Sequence, residues 1–408
     1  MTSRLNFLVA ARQCEIGELE QLARTSELVG VVGRLVHALQ RERGISNIYL
    51  GSHGVRYGDQ RLQQVLECER AAQDVLAQFD LLDTETGRVR NGARLFSRVA
   101  IVLHALDTLP ALRQRIATQA LTPREATVAF VRLIAGLLAV VFEAADSATD
   151  PEISRALVAL FNFMQGKEFA GQERACGAAV FASGQADLPS QQQWRHLIES
   201  QDSCFQVFQD FSDAAVLAAC HASQDASVRA EQERLRRVGC TARAEAALDP
   251  GLSQTWYECC TRRIDAMKTV EDVLEANLRR LCERRILQAR EELRDQQAIL
   301  EDLSRQAGGA GPGMPTRYGP HLERSILGMV QEQAQRLQAM SDELDTVRAT
   351  LKERKVVERA KGLLMAHRQL TEEEAYKTLR QMAMNQKRRL IDVAEAVLAL
   401  AQALPAGR

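Results

Sequence analysis

The stretch DPEISRALVALFNFMQGKEFAGQER, residues 150 to 174, contains the pattern that decides the fold. Asp150 before Pro151 is typical of a helix start, because an Asp side chain can accept a backbone N–H and proline fits the first helical position. The stretch then places apolar residues at steps of four, three and four, namely Ile153, Leu157, Leu160 and Met164. Since this spacing forms one continuous helix face, the stretch predicts a helix with a buried side.

Similar signals recur along most of the 408 residues. An earlier apolar stripe consists of Leu28, Val32, Leu35 and Leu39, and the segment TPRE at 122–125 has the composition of a capping box. We count about eight helices before residue 305 and no alternating run of β-branched residues. The sequence therefore predicts an all-α fold, in which two stacked four-helix bundles share a long final helix.

One segment interrupts the helical pattern. Residues 306–320, QAGGAGPGMPTRYGP, concentrate Gly and Pro more than any other segment. Its alternating glycines, Gly309, Gly311 and Gly313, do not indicate a nucleotide-binding loop, because Pro312 lies among them and no strand precedes them. We interpret 306–320 as a flexible linker that follows a helical domain at 1–305.

Beyond the linker we predict a long helix at 321–350 and a small three-helix module at 351–408. Apolar residues in the long helix follow the spacing of a coiled-coil seam: Leu337, Met340, Leu344, Val347 and Leu351. This seam favours pairing of two chains in a homodimer, and the alternative is an amphipathic helix that lies on its own domain. Within the module, Thr371 and Glu374 have the spacing of a capping box for the second helix.

The net charge of −1 hides an asymmetry. Residues 351–408 hold 12 Lys and Arg against 7 Asp and Glu, a net of +5, so residues 1–350 carry −6. A basic end on an acidic body is typical of a module that faces nucleic acid.

Few features point to catalysis, a cofactor, a metal or a membrane. The seven histidines form no HExxH spacing, and the chain contains neither a GxSxG elbow nor a GxxxxGK[ST] loop. The nine cysteines form no CxxC pair, and we interpret them as reduced, mostly buried side chains. The first residues lack the apolar core of a signal peptide, and the most apolar stretch, 133–142, is about half a membrane span. We therefore expect a cytoplasmic protein that is not an enzyme.

Both apolar stripes lead to an arginine. The stripe that ends at Leu39 reaches Arg43 four residues later, and the stripe that ends at Met164 reaches Arg174 at similar steps. Since arginine is seldom buried without a partner, each one either pairs with a carboxylate or binds an anion. The nearest carboxylates in the chain are Glu42, Glu168 and Glu173. Periodicity leaves both interpretations open, and a small planar oxyanion is the ligand that fits a guanidinium fork.

The segment from Val357 to Leu398 resembles the ANTAR domain, the three-helix RNA-binding module of transcription antiterminators. The residues that carry the resemblance are Ala360, Lys361, Gly362, Leu364, Met365, Thr371, Glu374, Ala375, Tyr376, Leu379, Arg380, Ala383, Met384, Leu390 and Ala394. Several motifs agree in one order, so the match is specific.

The region from about Leu28 to Leu281 resembles the NIT domain, a nitrate- and nitrite-sensing pair of four-helix bundles. The best matches are LVHALQRERGISNIYLGS, from residue 35, and ALFNFMQGKEFAGQERACGA, from residue 159. In that family, nitrate or nitrite is held as the effector between arginines of the sensor helices. The resemblance places these roles on Arg43 and Arg237, with Arg174 and Arg236 as supporting candidates.

The C-terminal residues also suit RNA on their own chemistry. Tyr376 and Arg380 lie four apart on one helix face, where a ring can stack on an unpaired base and a cation can contact phosphate. The other candidate phosphate contacts are Lys355, Arg359, Lys361, Lys387, Arg388 and Arg389. The alternative is a solvated basic surface with Tyr376 partly in the core.

These features support the hypothesis of a ligand-gated RNA-binding regulator. Nitrate or nitrite would free the basic module to bind hairpins of a leader mRNA, and a competing terminator hairpin could not form. The RNA polymerase elongation complex would then be an indirect partner, and two hairpins would suit a homodimer. One alternative is a ligand-responsive DNA-binding regulator, although the turn between His367 and Thr371 lacks the glycine often found in such motifs. Another is a helical signalling adaptor with no nucleic-acid role.

Overall fold

The structure is a computed structural model that describes residues 2–82, 85–242, 247–308, 320–368, 370 and 372–403. Within these ranges the chain forms helices and no strand, which confirms the predicted all-α fold. The helices are α1 (Thr2–Gly51), α2 (Gly58–Leu82), α3 (Glu85–Ala117), α4 (Pro123–Asp146), α5 (Pro151–Ser183), α6 (Leu188–Phe211), α7 (Ala214–Ala222), α8 (Ala226–Thr241), α9 (Leu252–Gly308), α10 (Pro320–Arg368), α11 (Glu372–Gln386) and α12 (Leu390–Ala403). Two compact units result: unit 1, Met1–Gln338, and unit 2, Ala339–Arg408.

Unit 1 contains two groups of four helices. In the first group, α1 and α3 each contact both α2 and α4. In the second group, α5 and α8 each contact α9 and α6. Helix α1 also contacts α5 and α9, so its side chains reach the interior of the second group.

Side-chain caps fix the starts of α4, in the first group, and α5, in the second group. The Thr122 side chain accepts the Glu125 N–H while the Glu125 side chain accepts the Thr122 N–H, which is the predicted capping box of α4. Asp150 accepts the Ile153 N–H at 3.0 Å and Pro151 occupies the first turn of α5, as predicted. Both helix starts therefore follow from local sequence chemistry.

Helix α4 and residues 93–117 of α3 are, among the described residues, long and apolar enough to cross a membrane by length and composition. In α4 this apolar character belongs to a core helix, because the side chains of Phe130, Ile134, Leu137 and Val141 are completely buried. The helix packs against α1, α3 and α5. The two predicted stripes, from Leu28 to Leu39 and from Ile153 to Met164, are buried in the same unit.

Unit 2 consists of the second part of α10 with α11 and α12. Its small apolar core contains Ala360, Leu364, Ala375, Leu379, Ala383, Val393, Ala394 and Val397. Lys387, between α11 and α12, has a φ of 49°, in the left-handed region that favours glycine. The N–H of Lys387 donates to the Met384 carbonyl and the N–H of Arg388 donates to the Ala383 carbonyl, which ends α11.

Helix α10 is continuous, so the predicted helix at 321–350 and the first helix of the module are one element. Of the predicted coiled-coil seam, Leu344, Val347 and Leu351 are buried within the single chain, whereas Leu337 is 55% exposed. The pairing of two chains stays a prediction. Residues 309–319 of the predicted linker and the predicted cap Thr371 lie outside the described residues.

Candidate functional site

Helix α5 carries four charged side chains into the interior of unit 1. Lys167, Glu168, Glu173 and Arg174 are each 3% exposed or less. Buried charges are costly unless they are paired, so their partners show which of these charges are already balanced within the protein. Lys167 forms a buried ion pair with Glu271 of α9, in which Nζ and Oε2 are 2.5 Å apart. The other three belong to two hydrogen-bonded clusters.

The first cluster joins Arg43 of α1 to Glu168 of α5. Arg43 Nη1 donates to Oε1 of Glu168 at 2.5 Å and Nη2 donates to Oε2 at 3.2 Å, so the guanidinium fork holds both oxygens. The side-chain amides of Gln40 and Gln172 donate to the same carboxylate at 2.9 and 3.0 Å. One planar carboxylate thus receives four N–H donors in the interior of the protein.

Arg174 belongs to this cluster through Gln40, whose backbone carbonyl accepts a hydrogen bond from Arg174 Nη2 at 3.2 Å. Nη1 of Arg174 donates to Oγ1 of Thr261 at 2.9 Å, and the guanidinium lies 4.8 Å from the centroid of the Tyr257 ring. All three partners are neutral, and no carboxylate of the described residues forms an ion pair with Arg174. We name Gln40, Arg43, Glu168, Gln172 and Arg174 the Arg43 cluster.

Two glycines allow the guanidinium groups of this cluster to pack against helix backbone. A Cβ atom at Gly171 would overlap Nη2 of Arg43. A Cβ atom at Gly44 would lie 2.6 Å from Nη2 of Arg174 and 2.8 Å from the Tyr257 hydroxyl. Both positions therefore need a residue without a side chain, because the partner group approaches the backbone closely.

The second cluster, the Glu173 cluster, joins α5 to α6 and α8. Arg236 donates from Nε and Nη2 to the two oxygens of Glu173, both at 2.7 Å. The Trp194 indole N–H and the Gln201 amide donate to the same carboxylate at 2.9 and 2.7 Å. Burial raises the pKa of Glu173, but the hydrogen bonds and charge of Arg236 outweigh it, so this pKa lies below its ordinary value.

Two tryptophans lie beside the Glu173 cluster and the backbone of α5. Trp194 and Trp256 meet edge to face with their ring centroids 4.9 Å apart. Trp194 donates to Glu173, whereas the indole N–H of Trp256 donates to the Arg174 carbonyl at 3.0 Å. The two rings therefore pack together against α5, one at the Glu173 carboxylate and the other at the backbone of the next residue.

The structure brings Arg236, and not Arg237, to α5. The buried residues of α8 are Val228, Gln232, Leu235, Gly239 and Cys240. Arg236 follows Gln232 by four residues and so lies beside this face, whereas Arg237 lies beyond it and is exposed. The helix phase therefore places Arg236 against α5, while the effector roles of Arg236 and Arg237 stay predictions from the resemblance.

Glu42 is not the partner of Arg43, although the sequence offered it as one. Its carboxylate accepts two hydrogen bonds from Arg113 of α3, both at 2.8 Å. The reason is helix geometry, because consecutive residues point in directions about 100° apart and cannot share one face. Glu168 and Glu173, the other two predicted carboxylates, do pair with arginines.

In unit 2 the predicted RNA contacts differ in exposure. Tyr376 is half-buried, and the Lys361 ammonium lies 5.9 Å from the centroid of its ring. Lys361 itself is only 7% exposed, so its ammonium group packs against the Tyr376 ring and has little contact with solvent. Arg380 lies exposed on the same helix as Tyr376.

The remaining cations form the outer surface of unit 2. Arg359, Lys387, Arg388 and Arg389 are exposed, and Lys355 is half-buried. Arg389 donates to Asp392 at 2.9 Å, so its charge is partly compensated. Lys387, Arg388 and Arg389 together form the turn that separates α11 from α12.

Two segments of the chain match known families. Residues 34–279 match the family described as nitrate and nitrite sensing, NIT, and residues 345–398 match the ANTAR domain. The chain belongs to the NIT family. The Arg43 and Glu173 clusters both lie in the NIT region, and the surface with Tyr376 lies in the ANTAR region.

Similar proteins agree with this assignment. A nitrate regulatory protein of Klebsiella oxytoca is 34% identical over 397 residues, which cover 97% of this chain and 94% of the relative. The solved structure of the NasR transcription antiterminator is 32% identical, with a TM-score of 0.62 over 98% of this chain and 100% of that chain. The NIT family is regulatory, and this chain is not an enzyme.

Sequence reasoning missed several residues of the NIT region that complete the clusters. Gln172 follows Glu168 by four residues, so the spacing of one helix face could have revealed it. Tyr257, Thr261 and Trp194 carry no such signal, because their contacts join helices that are distant in the sequence.

Replacing Gly171 by Ala should weaken nitrate binding several-fold and lower the thermal midpoint. The added methyl displaces the Arg43 guanidinium from its buried pair with Glu168, and this cost exceeds the gain of about 1 kcal/mol in helix propensity. Calorimetry with nitrate and thermal unfolding measure the two effects. Gly136→Ala in α4 is the matched control, since its Cβ would meet only Val102 at an ordinary 3.5 Å. Equal nitrate affinity in both variants would contradict the packing role of Gly171.

Proposed function

We propose that the protein is a nitrate- or nitrite-responsive regulator of transcription antitermination. Effector binding in the NIT region allows the ANTAR region to bind hairpins of a leader mRNA, and a terminator hairpin then cannot form. One observation carries the proposal. The same chain contains a buried arginine cluster with a net positive charge in its NIT region and exposed cations in its ANTAR region.

Charge balance favours the Arg43 cluster as the effector site. The cluster holds two guanidinium groups, Arg43 and Arg174, and one carboxylate, Glu168, which pairs with Arg43, so its formal charge is +1. A monovalent anion brings that charge to zero in an interior where unbalanced charge is costly. Nitrate and nitrite are planar oxyanions, and a guanidinium fork binds such groups with paired hydrogen bonds.

The Glu173 cluster has less need of an added anion. Arg236 also pairs with Glu233 at 2.6 Å, and Arg263 lies 3.9 Å from Glu173, so two positive and two negative groups balance. Arg236, on α8, therefore acts as a supporting residue through its pair with Glu173 of α5. Arg237 stays a candidate from the resemblance alone, with no contact to either cluster.

The ANTAR region supplies the RNA contacts. Tyr376 offers a ring for stacking on an unpaired loop base, with Arg380 beside it and Lys361 behind it. The exposed cations Arg359, Lys387 and Arg388 neutralise phosphates, with smaller roles for Lys355 and Arg389. A DNA-binding regulator has less support, because the ANTAR domain is an RNA-binding module.

Other parts of the proposal follow from this mechanism. A protein that acts on a nascent leader mRNA works in the cytoplasm, and the RNA polymerase elongation complex is its indirect partner. The homodimer stays a prediction, supported by the two hairpins that one leader would present to two ANTAR regions. Nitrate or nitrite acts as the effector and no cofactor is required.

The test is RNA binding with and without nitrate, using a leader transcript with two hairpins and the same sequence as duplex DNA. We expect the full chain to bind the RNA only with nitrate and to bind the DNA poorly. The fragment 339–408, which corresponds to unit 2, should bind the same RNA without nitrate. A fragment that still requires nitrate would contradict restraint by the NIT region, and preference for duplex DNA would favour the DNA-binding alternative.

A further inference from the structure

We propose that Glu168 is an internal competitor for the effector and sets the affinity and selectivity of the site. Its carboxylate holds the two N–H groups of Arg43 that a planar oxyanion would bind, so an anion has to displace it. This inference rests on the proposed function and adds the residue that regulates the same site.

The hydrogen bonds of Glu168 have the geometry of an oxyanion site. Four N–H donors converge on its carboxylate plane, two from Arg43 and one each from Gln40 and Gln172. The Arg43 fork matches a carboxylate and a nitrate equally well, because both present two oxygens on one planar centre. The donors that now satisfy Glu168 would therefore also satisfy the displacing anion.

Displacement is electrostatically feasible because the cluster holds one more cation. With nitrate on Arg43, the displaced carboxylate has Arg174 as an available cation, since the three contacts of Arg174 are to neutral groups. Gln40 already connects the two sites, as its amide donates to Glu168 and its carbonyl accepts from Arg174. The exchange leaves two guanidinium groups facing two anions, and no charge is stranded.

Competition also explains selectivity. Breaking a buried bidentate pair is costly, so only an anion that restores both hydrogen bonds to Arg43 can replace Glu168. Nitrate, nitrite and formate have two oxygens at the required spacing, whereas chloride is a sphere that offers one contact point. We therefore expect planar oxyanions to bind and chloride to fail at equal concentration.

The decisive variant is Glu168→Gln, measured by calorimetry of the full-length protein with sodium nitrate. The neutral amide no longer competes for Arg43, so we expect nitrate affinity to rise about tenfold or more, and the thermal midpoint to rise more on nitrate addition than in the wild type. A structural role alone would leave the affinity unchanged or lower it. Glu168→Asp keeps the charge but shortens the reach, and should give an intermediate increase if Glu168→Gln does not fold.

Glu42→Gln is the matched control. Glu42 is also a buried glutamate with a bidentate arginine, Arg113, but it lies outside the Arg43 cluster. The nitrate affinity of the Glu42→Gln protein should equal that of the wild type. An equal increase in both variants would show that any buried arginine that has lost its carboxylate partner takes up nitrate, and would overturn the inference.

The remaining outcomes separate this inference from the proposed function. If the wild type binds nitrate and Glu168→Gln binds it equally or more weakly, Glu168 is not a competitor, while the effector site stands. If neither protein binds nitrate or nitrite, the proposed function fails together with this inference. If Glu168→Gln also binds chloride as tightly as nitrate, the selectivity argument is wrong.

Discussion

Arg43→Ala is expected to abolish nitrate binding, with no heat detected by calorimetry at concentrations that saturate the wild type. The variant removes the fork that the effector needs and leaves Glu168 without its bidentate partner, which should lower the free energy of unfolding by about 3–5 kcal/mol. Nitrate-dependent RNA binding should disappear together with effector binding. Arg43→Lys should fail as well, because an ammonium group cannot reproduce two parallel hydrogen bonds.

A double replacement separates loss of the site from loss of the fold. Arg43→Met with Glu168→Met removes both charges, and apolar residues of similar volume often replace a buried ion pair with little cost. This variant should unfold near the wild-type midpoint and still bind no nitrate. Wild-type affinity in a folded Arg43→Ala protein would exclude Arg43 from the effector site.

Tyr376→Ala is expected to weaken hairpin binding by roughly 1–3 kcal/mol, the usual contribution of one base stacked on an aromatic side chain. The slope of log affinity against log salt should stay nearly constant, because the substitution removes no charge. Arg388→Ala should instead flatten that slope by about 0.7–0.9 if the side chain makes one phosphate contact. Binding of hairpins across a salt series measures both effects.

The half-buried position of Tyr376 requires a control for folding. Both variants should first show the helical circular dichroism of the wild type. An unfolded Tyr376→Ala module would show that the ring is structural, supported from behind by Lys361. A folded variant with unchanged affinity would show that Tyr376 does not stack on RNA.

Local sequence patterns predict much of the fold, because caps and helix periodicity act over a few residues. The starts of α4 and α5 and the burial of Arg43 and Arg174 all follow from such patterns. The limits of α10 could not be predicted in this way. No local signal near residue 350 distinguishes one continuous helix from two successive helices.

The partners within the site were harder to predict, because ion pairs between helices depend on how the helices pack. Periodicity pointed Arg43 inward but could not choose among Glu42, Glu168 and Glu173. In α8 a better use of periodicity was available, since Val228, Gln232 and Leu235 fix the phase that puts Arg236 inside and Arg237 outside. Charge balance at the Arg43 cluster could be counted only once its partners were known.

The two tryptophans give the protein an intrinsic optical reporter. They are the only tryptophans in the sequence, and one donates to Glu173 while the other donates to the Arg174 carbonyl. Excitation selective for indole therefore samples the surroundings of these two rings, which lie beside α5. Indole emission responds to nearby charge and polarity, so a rearrangement at Glu173 can be followed in real time without a label.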